Sequence, residues 1–112
     1  MRALEKCKVR ADVDCKVKIT DGDGGVMRYA YIIDGVQVGI AHVLGETIGS
    51  IEIKEQYRRK GYGKLMIEDL WNRGGRTATC VTEASRALFK SVGAKEYGPK
   101  HFTIPEEAFQ SP

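Results

Sequence analysis

The stretch "SIEIKEQYRRKGYGKLMIEDLW", Ser50 to Trp71, changes period at its centre. Before the basic run the chain alternates apolar and polar residues, which predicts a strand over Ile48–Lys54. After it Leu65, Met66, Leu70 and Trp71 share one helical face, while Glu68, Asp69 and Arg73 point elsewhere and Gly74-Gly75 supplies a stop. A helix over about residues 61–73 follows. Its start is the puzzle. The first helical turn carries unpaired N–H groups and the positive end of the dipole, so each cation placed there costs about 0.3–1 kcal/mol. Yet Arg58, Arg59 and Lys60 run straight into Gly61-Tyr62-Gly63 and Lys64.

Charge counting sharpens the point. Residues 54–64 hold five cations against Glu55 alone, a net +4 in a chain whose total is +3. The remainder is close to neutral, so the positive charge is focused rather than general. A strand, a glycine-spaced loop and a helix start surrounded by cations form a nest for a phosphate or pyrophosphate, and a bound anion reverses the sign of the adverse dipole term. Gly61 and Gly63 fit such a loop because a side chain would hold the backbone away from the anion. A Walker loop is excluded, since Lys64 precedes Leu65 and the earlier glycine is missing; a dinucleotide fingerprint fails where Met66 replaces its third glycine.

Outward from this unit, every odd position from Cys7 to Ile19 is apolar and nearly every even one is charged, predicting one half-buried strand whose Lys and Arg residues form its solvated face. Turn residues 20–25 lead to a strand over Val26–Asp34, Asp34-Gly35 to another over Val36–Val43, and "LGET" to Ile48–Lys54, an antiparallel meander. Asp21 and Asp23 open a calcium-like loop, but Ile32 stands where its closing Glu belongs, so a plain turn is expected. Beyond the helix, Thr77–Thr82 reads as a strand, Thr82 caps a second helix ended by Gly93, and "AKEYGPKHFTI" offers one or two short strands. The expected order is β-β-β-β-α-β-α-β, an α+β fold (an α/β sandwich) with a mostly antiparallel central sheet, in a single domain over residues 1–112.

With 112 residues, 42% hydrophobic and 29% charged, the chain can bury roughly two-thirds of its unfolded surface and needs no staple. Cys7, Cys15 and Cys80 lack C-x-x-C spacing and are expected as reduced core thiols. They have no zinc-ligand spacing to His42 or His101, and no metal is expected. Without a leader-like or membrane-spanning apolar run, the expected setting is the cytoplasm, away from membranes.

"RRKGYG", Arg58 to Gly63, resembles the [Q/R]-x-x-G-x-[G/A] signature of the GNAT superfamily of CoA-dependent N-acyltransferases. Its flanks match, "YIIDGVQVGIAHV" is similar to the family's second and third strands, and "TEASRALFKSVGAKEY" to its second conserved helix, so the resemblance covers Tyr29 to Tyr97. It implies acetyl-CoA as cofactor, with its pyrophosphate on the backbone of Arg59, Lys60, Gly61, Tyr62, Gly63 and Lys64, and with Arg58 and Lys64 adding charge. The backbone of Ile51 and Ile53 would pair with the pantetheine arm and polarise the thioester, and Ser85 and Phe89 on the second helix complete the implied cofactor set. An acetyl group would pass to a primary amine of a small molecule or peptide. The base candidates are Glu52, Glu46 and His42. Phe89 stands where the family often has a proton-donating Tyr, which leaves Tyr97 or water as the acid. The two helices that the family inserts after its first strand are missing, so the acceptor side should be open or completed by a second copy of the chain in a homodimer. A CoA-binding module without transferase activity is the alternative. Nucleic acid is not an expected partner, because the patch carries no aromatics beyond Tyr57 and Tyr62 and the rest of the chain is slightly acidic.

Overall fold

A computed structural model describes residues 4–79 and 82–109. Strands β1 (Leu4–Lys6), β2 (Cys15–Asp21), β3 (Met27–Ile33), β4 (Val36–Leu44) and β5 (Thr47–Ile53) come first. Helix α1 (Tyr62–Asn72), β6 (Thr77–Thr79), α2 (Glu83–Ser91), β7 (Lys95–Gly98) and β8 (His101–Thr103) complete the order. All strands belong to one mixed sheet in the order β1-β2-β3-β4-β5-β6-β8-β7, an α+β fold as expected. Among the described strands only β5 and β6 pair in parallel, because α1 carries the chain back across the sheet between them. Between β2 and β3 stands nothing longer than a five-residue turn containing a short 3-10 segment, so the insertion of helices at this point is absent, as the sequence indicates.

The long alternating run at the N-terminus departs from expectation. Cys7–Ile19 is not one strand: β1 and β2 are separate antiparallel neighbours joined by a loop. Thirteen residues in register would exceed the usual strand length, and the chain doubles back instead. Cys7 and Cys15 are buried as foreseen, but they are bonded to each other as a disulfide, which corrects the expectation of free thiols. Closing a loop of this size stabilises a fold by about 2–3 kcal/mol on chain-entropy grounds. Cys80 lies outside the described residues.

Both helices cover one face of the sheet. Met66, Ile67 and Leu70 of α1 and Phe89 of α2 are buried against Val17, Tyr31, Ile48 and Phe102 in a single core. Phe89 stacks on Phe102 at 6.1 Å between ring centres. On α1, the side away from the apolar stripe is covered as well. Asp69 is fully buried, and its carboxylate accepts hydrogen bonds from the Lys8 N–H at 2.6 Å, the Tyr31 hydroxyl at 2.7 Å and the Arg73 Nε at 2.9 Å. Beside it Glu68 accepts from the Arg10 N–H and Nε. The disulfide loop is therefore laid along α1 and fastened there through the backbone, which is where those loop N–H groups find partners.

Candidate functional site

The register of β5 and β6 opens a cleft. Their pairing is confined to Thr47 with Thr77 and Ile48 with Ala78, while β5 continues to Ile53. The Thr79 hydroxyl donates to the Gly49 carbonyl at 3.1 Å, at the point where the strands part. Beyond it the two diverge. The Lys54 N–H donates to Val38 on the β4 side, so backbone alternation turns the N–H and C=O groups of Ile51 and Ile53 to the other side, into the cleft. Their side chains meanwhile pack on the core, Ile51 only 6% exposed. The same residues thus pack their side chains on the core and turn their backbone to the cleft.

At the wide end of the cleft the chain makes a 3-10 turn over Glu55–Tyr57, and Arg58 then folds back so that its Nε donates to the Ile53 carbonyl at 3.0 Å. Arg59 follows with φ +66° and Gly61 with φ +81°, and α1 starts at Tyr62. Left-handed residues next to a helix start gather successive N–H groups into a concave set. The first intrahelical bond at this end runs from Leu65 N to Gly61 O, which leaves the N–H groups of Tyr62, Gly63 and Lys64 ahead of it. No side chain caps this end and its first turn holds no acid. Arg59, Lys60 and Lys64 are exposed around it.

The two glycines have different reasons. Gly61 has open space where a Cβ would lie, and its left-handed φ is what a side chain would strain. At Gly63 a Cβ would stand 2.6 Å from Leu88 Cδ1 and 2.7 Å from Ile53 Cδ1. Its role is close packing: the helix start is seated on both α2 and the end of β5. The expectation that Gly63 keeps a side chain off an anion gives way to this contact.

The remaining candidates are spread unevenly. His42 and Ser50 face each other across β4 and β5, with Nδ1 3.0 Å from Oγ, and Glu52 lies two residues further along the same face of β5. Ser50 and Glu52 lie on the strand that edges the cleft, on the face that no helix covers, and His42 stands one strand behind them. Glu46 sits in the turn before β5, where its carbonyl accepts from the N–H groups of Arg76 and Thr77. It is at the closed end, roughly 16 Å along the strand from Ile51. Tyr97 is on β7, 63% exposed with its ring 5.8 Å from that of His101, and β8 and β6 stand between it and the cleft. The Ser85 hydroxyl is engaged with Thr82 in a capping box, and the Phe89 ring is fully enclosed. Along α1 and away from the cleft, Gly61, Lys64, Leu65, Glu68, Val92 and Phe109 border a groove of about 370 Å³. Sequence reasoning did not find this groove, since its walls come from four distant segments, Arg10 among them.

No protein-family model and no curated sequence matches the chain. Solved structures do. The chain is similar to the N-acetyl transferase YhhK from E. coli bound to coenzyme A, at 14% identity and a TM-score of 0.62, covering 76% of each chain. It is similar to an acetyltransferase from Bacillus subtilis in complex with CoA, at 14% identity and a TM-score of 0.57, over 78% of this chain and 79% of that one. A third likeness is to the Salmonella typhimurium acetyltransferase that modifies the N-terminal serine of ribosomal protein L7/L12, at 13% identity and a TM-score of 0.53, over 70% of this chain and 60% of the other.

Proposed function

From a fold shared with the GNAT acetyltransferases, we propose that this chain binds acetyl-CoA in the β5–β6 cleft and transfers the acetyl group to a primary amine of a small molecule or peptide. The observation that carries the reading is the helix start: three N–H groups ahead of the first helical bond, preceded by two left-handed residues and ringed by Arg59, Lys60 and Lys64. The pyrophosphate is seated there, with the groove beside α1 offering concave surface to the adenosine end. The pantetheine arm extends down the cleft along the free edge of β5, and its amides pair with Ile51 and Ile53.

In the reaction the amine nitrogen attacks the thioester carbon, a C–N bond forms, and the C–S bond breaks with its electron pair leaving on sulfur. A β5 N–H turned into the cleft meets the developing charge on the carbonyl oxygen, a preorganised dipole that costs no reorganisation. The amine must first lose its ammonium proton. Glu52 on β5 and His42, one strand behind it on β4, lie on the uncovered face and are the groups to receive it, directly or through water. A thiolate is an adequate leaving group; the remaining proton that the attacking nitrogen sheds as the amide forms passes to solvent, and solvent protonates the sulfur, since Phe89 carries no hydroxyl and Tyr97 is two strands away. The enclosed Phe89 also favours a second reading, a module that binds CoA without transferring from it. Incubation with acetyl-CoA and a panel of free amines and peptides, followed by assay of released thiol, separates the two. Amine-dependent thiol release is expected; CoA binding with no release over the panel would leave the module reading.

A further inference from the structure

The charge count along the sequence finds one positive centre, but the register of the sheet builds another. Lys6 on β1 lies directly opposite Lys16 on β2, Lys18 stands two residues along β2, and Arg28 on β3 lies opposite His42 on β4. Strand alternation puts all of them on the face that the helices leave bare, opposite the buried Val17, Ile19 and Tyr31. The three lysines are exposed and none of the four cations takes part in an ion pair among the described residues. No carboxylate shares this face on β1 to β4; Glu5 turns to the other side and pairs with Arg73. Like charges set directly opposite each other across two strands are destabilising, so the arrangement costs the free protein stability. Between the cations the face is aliphatic, with Ala30, Ile32 and Ile40 on β3 and β4.

We propose that this bare face of β1 to β4 docks an acidic polypeptide segment, the acceptor whose amine is presented at the cleft. The proposal rests on the acetyl-transfer reading and adds the class of substrate. The face is continuous with the candidate site, because Arg28 neighbours His42 and His42 neighbours Ser50 on β5. From Lys6 to Glu52 is four inter-strand spacings, about 19 Å, the reach of roughly six extended residues. Carboxylates on such a segment relieve the Lys6–Lys16 repulsion, and its aliphatic side chains find Ile32 and Ile40. A second copy of this chain packed face to face brings no carboxylate of its own β1 to β4 to meet these lysines. Single-stranded nucleic acid fits less well than an acidic peptide, because β1 to β4 present no Phe, Tyr or Trp on this face for bases to stack on.

The test uses three fluorescein-labelled ten-residue peptides with a free N-terminal serine, one rich in Glu and Asp, one neutral and one rich in Lys. Anisotropy is read at low salt on the full chain and on Lys16→Glu/Lys18→Glu, whose side chains lie outside the cleft. The acidic peptide is expected to bind at least 10-fold more tightly than the neutral one. In the variant that preference disappears and the Lys-rich peptide gains. Calorimetric titration of both proteins with CoA is expected to give the same affinity, so a failure of CoA to bind is seen separately, as a failure of the acetyl-transfer reading. Equal binding of acidic and neutral peptides, or an acidic-peptide affinity unmoved by the double substitution, overturns the proposal. So does a tighter grip on an oligonucleotide of the same charge, which would assign the face to nucleic acid.

Discussion

Replacing Asp69 with alanine is expected to remove about 3–5 kcal/mol of folding stability, the cost of breaking a buried charged network by deleting one member. The substitution leaves the buried Tyr31 hydroxyl, the Lys8 N–H and the Arg73 Nε without their acceptor, and the Tyr31 and Arg73 groups are too enclosed to recover water fully. Domains of this size have about 5–15 kcal/mol in total, so the change takes a large share. Urea denaturation measures it through the midpoint at constant slope. A loss under about 1 kcal/mol would mean that the carboxylate is dispensable and that the disulfide and the Arg10–Glu68 contacts hold the N-terminal loop without it. Combining it with Tyr31→Phe should cost less than the sum of the two, because the residues share one bond. The same network sets a pH dependence. Burial, reinforced by the neighbouring Asp69 charge, holds the Tyr31 hydroxyl well above its ordinary pKa of 10.0. The folded state thus keeps a proton that the unfolded chain gives up. This contribution is complete below pH 10 and is lost as the pH climbs beyond it.

Reversing the charge of the loop, Arg59→Glu with Lys60→Glu, is expected to weaken CoA binding by about 30- to 150-fold at low salt. Two cations beside a diphosphate are exchanged for two repelling anions, a loss of about 2–3 kcal/mol after allowance for solvent screening, at 1.4 kcal/mol per tenfold. Both side chains are exposed, so the thermal midpoint should hardly move. The difference should shrink in 1 M salt, where the screening length falls to about 3 Å. Binding within threefold of the unsubstituted protein would remove the loop cations from the account and leave only the backbone N–H groups.

How legible these features were in the sequence depends on where their causes lie. The strand–loop–helix unit was readable because its signals are local: a change of period, and cations where a helix dipole repels them. The helix predicted over residues 61–73 is found at Tyr62–Asn72, and Thr82 caps α2 as its spacing indicates. Cys7–Ile19 was misread as one strand because alternation has the same period in two strands and in the loop between them. The burial of Asp69 went unseen because nothing on α1 announces that a disulfide loop 61 residues earlier will lie against it. Gly63 was given an anion-facing reason when its neighbours are Leu88 and Ile53, one of them contributed by a different helix. The basic sheet face was hidden in the same way. Its lysines alternate with core residues and are brought to Arg28 only by strand register.

The central claim is that the cation-ringed start of α1 seats a diphosphate. Its most direct test is a pair of calorimetric titrations of the unaltered chain, one with CoA and one with pantetheine, which has the same arm and thiol but no diphosphate or adenosine. The account predicts that CoA binds with 1:1 stoichiometry and at least 100-fold more tightly than pantetheine. Equal affinities, or no heat with CoA, would contradict it.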